Sequence, residues 1–203
     1  CIFNSNDSFF EFYAIVKSTS LFSLPLVLLV CFSCKSDKPK GLESFTAVTE
    51  KDPVHNFVDK KLPSGKLTTL DNQEVTLADF EGKPTMLNLW FVACAPCIDE
   101  MPILNNLKEK YADKVNFLSM TFDSKEKVDK LLQKHDFEFL HLVGAGDFLK
   151  AIGAQAYPKN LFIDANGIIK RVEGGVPYDL VDGKLKRTDG KKFYDYIEEL
   201  LLP

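Results

Sequence analysis

One junction constrains this chain more than any other: an apolar run that empties directly into a pair of cysteines and then a helix. Thr85 to Val92 reads TMLNLWFV, continuous and β-prone, with only Asn88 polar. Such a run suits a strand covered on both faces, the situation of a central strand in an α/β sheet. After Ala93 come Cys94-Ala95-Pro96-Cys97, and then Ile98, Met101, Leu104 and Leu107 at helical spacing up to Tyr111. Pro102 falls inside that helix and should kink it. A buried strand handing over to a helix at a Cys-x-x-Cys places two thiols at a helix N-terminus.

That position carries chemistry. The first helical turn has unpaired N–H groups and the positive end of the macrodipole, and both favour a thiolate at Cys94. In such motifs the pKa falls from about 8.5 into the range of roughly 3.5–7.5. Two intervening residues let one turn bring both sulfurs within bonding distance, and Pro96 near the helix start stiffens that turn without costing a needed N–H. Cys94 is therefore expected as the more exposed nucleophile and Cys97, one turn deeper, as the thiol that resolves a mixed disulfide.

The rest of the domain reads as alternating strands and helices. Lys66–Leu70 and Glu74–Leu77 flank Asp71-Asn72-Gln73 as a hairpin, and Leu77–Gly82 is a short helical turn. Val115–Phe122 is a second buried strand, and Ser124 caps a helix running to about His135. Phe139–Val143 reads as a short strand and Asp147–Ile152 as a short helix. Leu161–Asp164 and Ile168–Val172 flank Asn166-Gly167 as a hairpin. Lys191–Leu202 is a closing helix with Phe193, Ile197 and Leu200 on one face, and Lys184–Lys192 reads as a solvated loop leading into it. The expected fold class is α/β, a mixed central sheet flanked by helices with an N-terminal β-hairpin.

At the other end, Leu21–Phe32 is an apolar run of about a dozen residues, too short for the ~20 that span a bilayer and suited to a secretory segment of roughly 7–15. It leads to Ser33-Cys34 and then Lys35-Ser36-Asp37-Lys38. This resembles a bacterial lipoprotein signal, with residues 1–33 removed and Cys34 lipidated; an uncleaved anchor and plain secretion are the alternatives. Residues 34–62 are expected to form a tether, and 63–203 the folded domain. Of five cysteines, only Cys94 and Cys97 then remain in that domain, which marks a reagent and not a disulfide scaffold. The implied place is the cell envelope, facing the periplasm. A net charge of -4 and the lack of a basic patch interleaved with aromatics argue against nucleic acid.

Other uses of the pair were weighed. Zinc needs two further ligands, and no second Cys-x-x-Cys or close His pair exists. A Cu(I) carrier on the two thiols lacks a recognisable copper set. A structural disulfide closing so short a loop gains little entropy. A peroxiredoxin-like peroxidase would need Pro-x-x-x-Thr-x-x-Cys, and the residues before Cys94 differ. A lipoprotein in which the fold serves only for docking would survive loss of Cys94. No metal and no cofactor beyond a redox-active Cys94–Cys97 disulfide is expected.

The stretch Asn88–Pro102, NLWFVACAPCIDEMP, resembles the active-site segment of the TlpA/ResA-like branch of the thioredoxin superfamily, as do Gly153–Pro158 and Phe162–Gly167. The resemblance covers about Pro63 to Leu202. It implies a thioredoxin-like fold, thiol:disulfide exchange with protein partners, an upstream membrane redox donor, a monomer, and in many relatives a role in cytochrome c maturation. It also implies that Pro158 is a cis-proline opposite the cysteines, that Tyr157 and Pro158 join Ala95, Pro96 and Trp90 around a docking surface, and that Glu100 is an acid beside the active site. Trp90 is at the same time most simply core. Asn88 stands where thioredoxins keep a buried acid, which leaves Glu100 as the proton-handling group. This chain departs from the family with Ala93, where Trp is common, and with Tyr157, where a small or β-branched residue is usual.

Overall fold

The structure is a computed structural model that describes residues 52–202. The proposed signal segment, Cys34 and the first part of the tether lie outside the described residues. Among the described residues no helix is long and apolar enough to cross a membrane.

In chain order the elements are β1 (Leu67–Thr69), β2 (Glu74–Val75), β3 (Thr85–Leu89), α1 (Ala95–Tyr111), β4 (Asn116–Met120), α2 (Lys125–Leu132), β5 (Leu140–Val143), α3 (Gly146–Ala151), β6 (Lys159–Ile163), β7 (Ile169–Glu173), β8 (Tyr178–Val181), β9 (Lys184–Arg187) and α4 (Lys191–Leu200). Seven strands form one sheet in the order β2-β1-β5-β4-β3-β6-β7, and β8 and β9 form a separate hairpin. β3, β4 and β5 run parallel, while β6 is antiparallel to β3 and β7 to β6. This is the mixed sheet expected, with the cysteine-bearing helix following β3, an interior strand between β4 and β6.

Period-two alternation sorts the strand side chains onto two apolar layers. Met86, Trp90, Phe117 and Phe162 pack on one face with Met101, Leu104 and Leu107 of α1, Val128 and Leu131 of α2, and Phe193 and Ile197 of α4. Leu87, Leu89, Leu118, Met120 and Leu161 pack on the other with Leu149 of α3 and with Val54. All five residues of β3 are buried, as a strand covered on both sides must be. α1 runs unbroken from Ala95 to Tyr111 with Pro102 inside it.

Four expectations need correction. Residues 52–62 are not simply tether. Pro53–Phe57 is a 3-10 turn with Val54 fully buried, and Val58 and Lys61 bridge to Ile169 and Ile168 of the sheet. β3 stops at Leu89, because the chain must turn to present the cysteines. The Val92 N–H then goes to the Asp123 carboxylate at 2.8 Å and the Cys94 N–H to the Phe91 carbonyl at 3.1 Å. Ser124 stands at the N-cap of α2 but makes no side-chain capping bond. Finally, Lys184–Arg187 is a strand and not a loop. It pairs with Tyr178–Val181 around Asp182-Gly183, both at positive φ, the geometry of a tight hairpin turn.

Candidate functional site

Cys94 is the N-cap of α1 and Cys97 lies in its first turn. The two are joined as a disulfide with Cα atoms 5.2 Å apart, inside the usual span for such a bond. The Cys97 N–H, which donates to the Cys94 carbonyl at 3.0 Å, is shared with the Cys94 sulfur at 3.3 Å, so a donor of the helix terminus lies against the sulfur that carries charge when reduced. The expected contrast in exposure is slight. Cys94 is 4% and Cys97 2% exposed, while Ala93, Ala95 and Pro96 around them are open to solvent.

One turn after Cys97, Glu100 projects from the same face of α1. It is fully buried, not on the exposed turn where such a residue would ordinarily sit. Its Oε1 accepts the Asn88 side-chain amide at 3.0 Å and the Asn160 amide at 3.4 Å. Its Oε2 accepts the Val176 N–H at 2.8 Å and faces the Arg187 guanidinium at 3.7 Å. Asn88 of β3 and Asn160 of β6 are opposite each other in register and joined at 2.9 Å. Burial pushes the Glu100 carboxyl up to about 7, against the opposing pull of the Val176 N–H, Asn160, Arg187 and Asn88. A carboxyl poised there can exchange a proton near neutral pH.

Across the site, the Tyr157–Pro158 peptide is cis. Pro158 is brought close to Glu100 and Arg187 by Gly175, where a side-chain Cβ would lie 2.6 Å from the Pro158 ring, 2.8 Å from the Glu100 carboxylate and 3.2 Å from Arg187. The loop into Pro158 is braced by the segment expected as tether. The Asp52 carboxylate accepts the N–H groups of Gln155 and Ala156 at 3.2 and 3.0 Å and pairs with buried Lys159 at 3.3 Å. Although burial opposes it, the N–H groups of Ala156, Gln155 and Val54, with the Lys159 ammonium, hold the Asp52 carboxyl below its ordinary value.

Tyr157 is half-buried, its ring edge-on to Phe91 at 5.5 Å and Phe122 at 6.0 Å, with Phe91 stacked on Phe122 at 5.4 Å. Neither Phe91 nor Phe122 was legible as a neighbour of Tyr157 from the sequence. Trp90 corrects the reading that placed it at a docking surface. It is fully buried, edge-on to Phe137 at 5.8 Å, and its indole N–H finds no hydrogen-bond partner among the described residues. Only core packing is open to it. Arg187, Asn160 and Asp52 carry no signal of site membership in the sequence, although Asp182-Gly183 between Tyr178–Val181 and Lys184–Arg187 is itself a hairpin signal. Among the described residues, no group of three or more His, Cys, Asp or Glu side chains is placed to hold a metal.

With this geometry in view, comparison with known proteins is specific. The Redoxin family profile matches residues 57–185. The thiol-disulfide oxidoreductase ResA of Geobacillus thermodenitrificans is 32% identical over 153 residues, 74% of this chain and 82% of the relative. ResA of Bacillus thuringiensis subsp. konkukian is 27% identical over 179 residues, 84% of this chain and 97% of the relative. Among solved structures, the thioredoxin domain of a thiol-disulfide oxidoreductase from Bacteroides vulgatus superposes with a TM-score of 0.59 at 20% identity, covering 71% of this chain and 98% of that one. At that identity it speaks for the fold alone.

Proposed function

We propose a direction, a place and a set of residue roles for the exchange reaction, because this chain belongs to the Redoxin family and is a thiol-disulfide oxidoreductase of the ResA type. Its substrates are disulfides of partner proteins, and it works as their reductant in the cell envelope, tethered through lipid on Cys34 and recharged by a membrane redox donor. Maturation of c-type cytochromes is the process this assignment fits, since it needs reduced thiols in an oxidising compartment. The observation that carries the reading is a Cys94–Cys97 pair at a helix N-terminus with the buried carboxylate of Glu100 one turn on.

The reduced form begins with Cys94 as thiolate. It attacks one sulfur of the partner disulfide, forming a Cys94–partner bond and expelling the other partner sulfur with its electron pair. Cys97 then attacks the Cys94 sulfur as its proton passes to the Glu100 carboxylate. The Cys94–Cys97 bond forms, the Cys94–partner bond breaks, and the second partner sulfur leaves as thiolate. Two partner sulfurs are reduced and two of this chain are oxidised. Pro158, Tyr157, Ala95 and Pro96 border the surface on which the partner backbone would lie. Reductant rather than oxidant follows from Ala95-Pro96, which lacks the His that over-stabilises the thiolate in strong oxidants.

Cys97→Ser, expressed in cells, tests the exchange. It should stall as covalent adducts on Cys94 that dithiothreitol releases, while Cys94→Ser/Cys97→Ser should trap nothing. Recovery of no adduct refutes protein disulfides as substrates. A reduction potential near the -120 mV of strong oxidants overturns the direction.

A further inference from the structure

Arg187, at the end of the β8–β9 hairpin, is a charged side chain only 7% exposed, and the exchange chemistry as described makes no use of it. Its guanidinium meets five groups. It donates to the carbonyls of Pro96 and Val176, to the Asp99 carboxylate at 3.2 Å and to the Tyr178 hydroxyl at 2.7 Å. It also faces Glu100 at 3.7 Å. Its plane covers the Tyr178 ring at 4.2 Å, and Tyr178 in turn donates to Asp99 at 2.6 Å. A planar fork of five N–H donors can satisfy so many acceptors at once, which a lysine ammonium cannot.

We propose that Arg187 is a positioning residue for disulfide exchange, fastening the Tyr178–Arg187 hairpin onto the Cys-x-x-Cys turn and supplying the counter-charge that draws Glu100 toward its ionised form, so that it can take the proton of Cys97. This rests on the proton-acceptor role given to Glu100 above. Each hydrogen-bond or ion-pair partner of the Glu100 carboxylate is a donor: Asn88 from β3, Asn160 from β6, the Val176 N–H from the segment after β7, and Arg187 from β9. A cage of donors favours the anion against the burial that favours the neutral acid, because a protonated carboxyl would aim its own hydrogen at another donor. Arg187 brings the full positive charge to that cage, and a nearby opposite charge lowers a carboxyl pKa by about 1–3 units where burial alone would raise it. The negative charge of Asp99, on α1 beside Glu100, and the Tyr178 phenol sit on the far side of the same guanidinium.

The second half of the role is mechanical. Pro96 stands between the two cysteines, and its carbonyl is held by Arg187. The turn that must bring the sulfurs together is thereby tied to a hairpin more than eighty residues away in the chain. When Glu100 takes the Cys97 proton, the attraction between it and Arg187 is lost while the bonds to Pro96, Val176 and Asp99 remain. The hairpin therefore stays seated while the charge at its base changes.

The test uses the full chain with Arg187→Gln, Arg187→Lys and Glu100→Gln. It measures the pH profile of disulfide exchange with a protein disulfide, together with amide hydrogen exchange over residues 178–187. Parent and Glu100→Gln profiles differ by one inflection, which belongs to Glu100. Arg187→Gln should move that inflection up by about one pH unit or more and speed amide exchange in the hairpin about tenfold or more. Arg187→Lys should restore the inflection in part but not the hairpin's protection, since it keeps the charge and loses the fork. An unmoved inflection in both Arg187 variants, with lowered thermal stability alone, overturns the counter-charge role. If Glu100→Gln has the same profile as the parent, the Glu100 reading itself fails, and the counter-charge role fails with it. Arg187→Lys keeps the question answerable should Arg187→Gln not fold.

Discussion

Gly175→Ala is a sharp perturbation of this site, because one methyl group meets three of its parts. Gly175 is not at positive φ, so an alanine there suffers no backbone penalty and the effect is purely steric. Its Cβ would sit 2.6 Å from the Pro158 ring and 2.8 Å from the Glu100 carboxylate, both well inside van der Waals contact. The proline ring is rigid and Glu100 is fully buried, so neither can swing away freely. Overpacking of this kind costs about 1–3 kcal/mol. Displacing the carboxylate from the Val176 N–H adds about 1.5–3 kcal/mol for a charged hydrogen bond. The two overlap, since moving Glu100 relieves part of the clash, and the expected loss is about 2–4 kcal/mol. For a domain of this size that lowers the melting temperature by roughly 5–15 °C. Gly174 provides the matched control. A Cβ there meets nothing within 4 Å, so Gly174→Ala should be neutral, or stabilising by about 0.4–1 kcal/mol through the unfolded chain. Urea unfolding of the oxidised proteins reads both, and insulin reduction reads the exchange rate, which should fall at least tenfold in Gly175→Ala alone. Equal stability of the two variants to within about 0.5 kcal/mol would refute the convergence of Pro158, Glu100 and Arg187 on Gly175.

Two further outcomes are expected. Because the Glu100 carboxyl is raised from 4.5 to about 7, its contribution to stability is complete below pH 4.5 and is lost as pH rises through 7. The difference in unfolding free energy between parent and Glu100→Gln should therefore change across that window and be flat above it; a difference independent of pH would mean the carboxyl titrates normally. Asp52→Ala leaves the Gln155 and Ala156 N–H groups without their acceptor and strands the buried Lys159 charge. It should cost about 3–5 kcal/mol, read by urea unfolding, with exchange slowed because the loop into Pro158 loosens. In the parent the Asp52 carboxyl is held below its ordinary value, so its contribution is present above the unfolded value of about 3.9 and fades as pH falls through the folded one. A truncation that removes residues 52–62 without loss of stability would contradict the brace.

Much of this protein could be read from local pattern. The all-apolar Thr85–Leu89, the cysteines that follow it, the helical spacing of Met101, Leu104 and Leu107, and the Asn166-Gly167 turn are short-range signals whose physics is complete within a dozen residues. They determine a buried strand, a helix and a reactive pair at the junction, and with the resemblance to TlpA/ResA-like proteins they pointed to Pro158 and Glu100. Tertiary structure decided everything that depends on who faces whom. Glu100 is fully enclosed only because Asn88, Asn160, Val176 and Arg187 arrive from four separate stretches of chain. Trp90 is core because residues distant in the chain, Phe137 and His141 among them, pack against its ring. Lys184–Arg187 has the composition of a solvated loop, yet ends with a guanidinium buried at the cysteines. Desolvation and charge pairing act through space, so burial, proton affinity and the clamp on Pro96 exist only once distant segments have met.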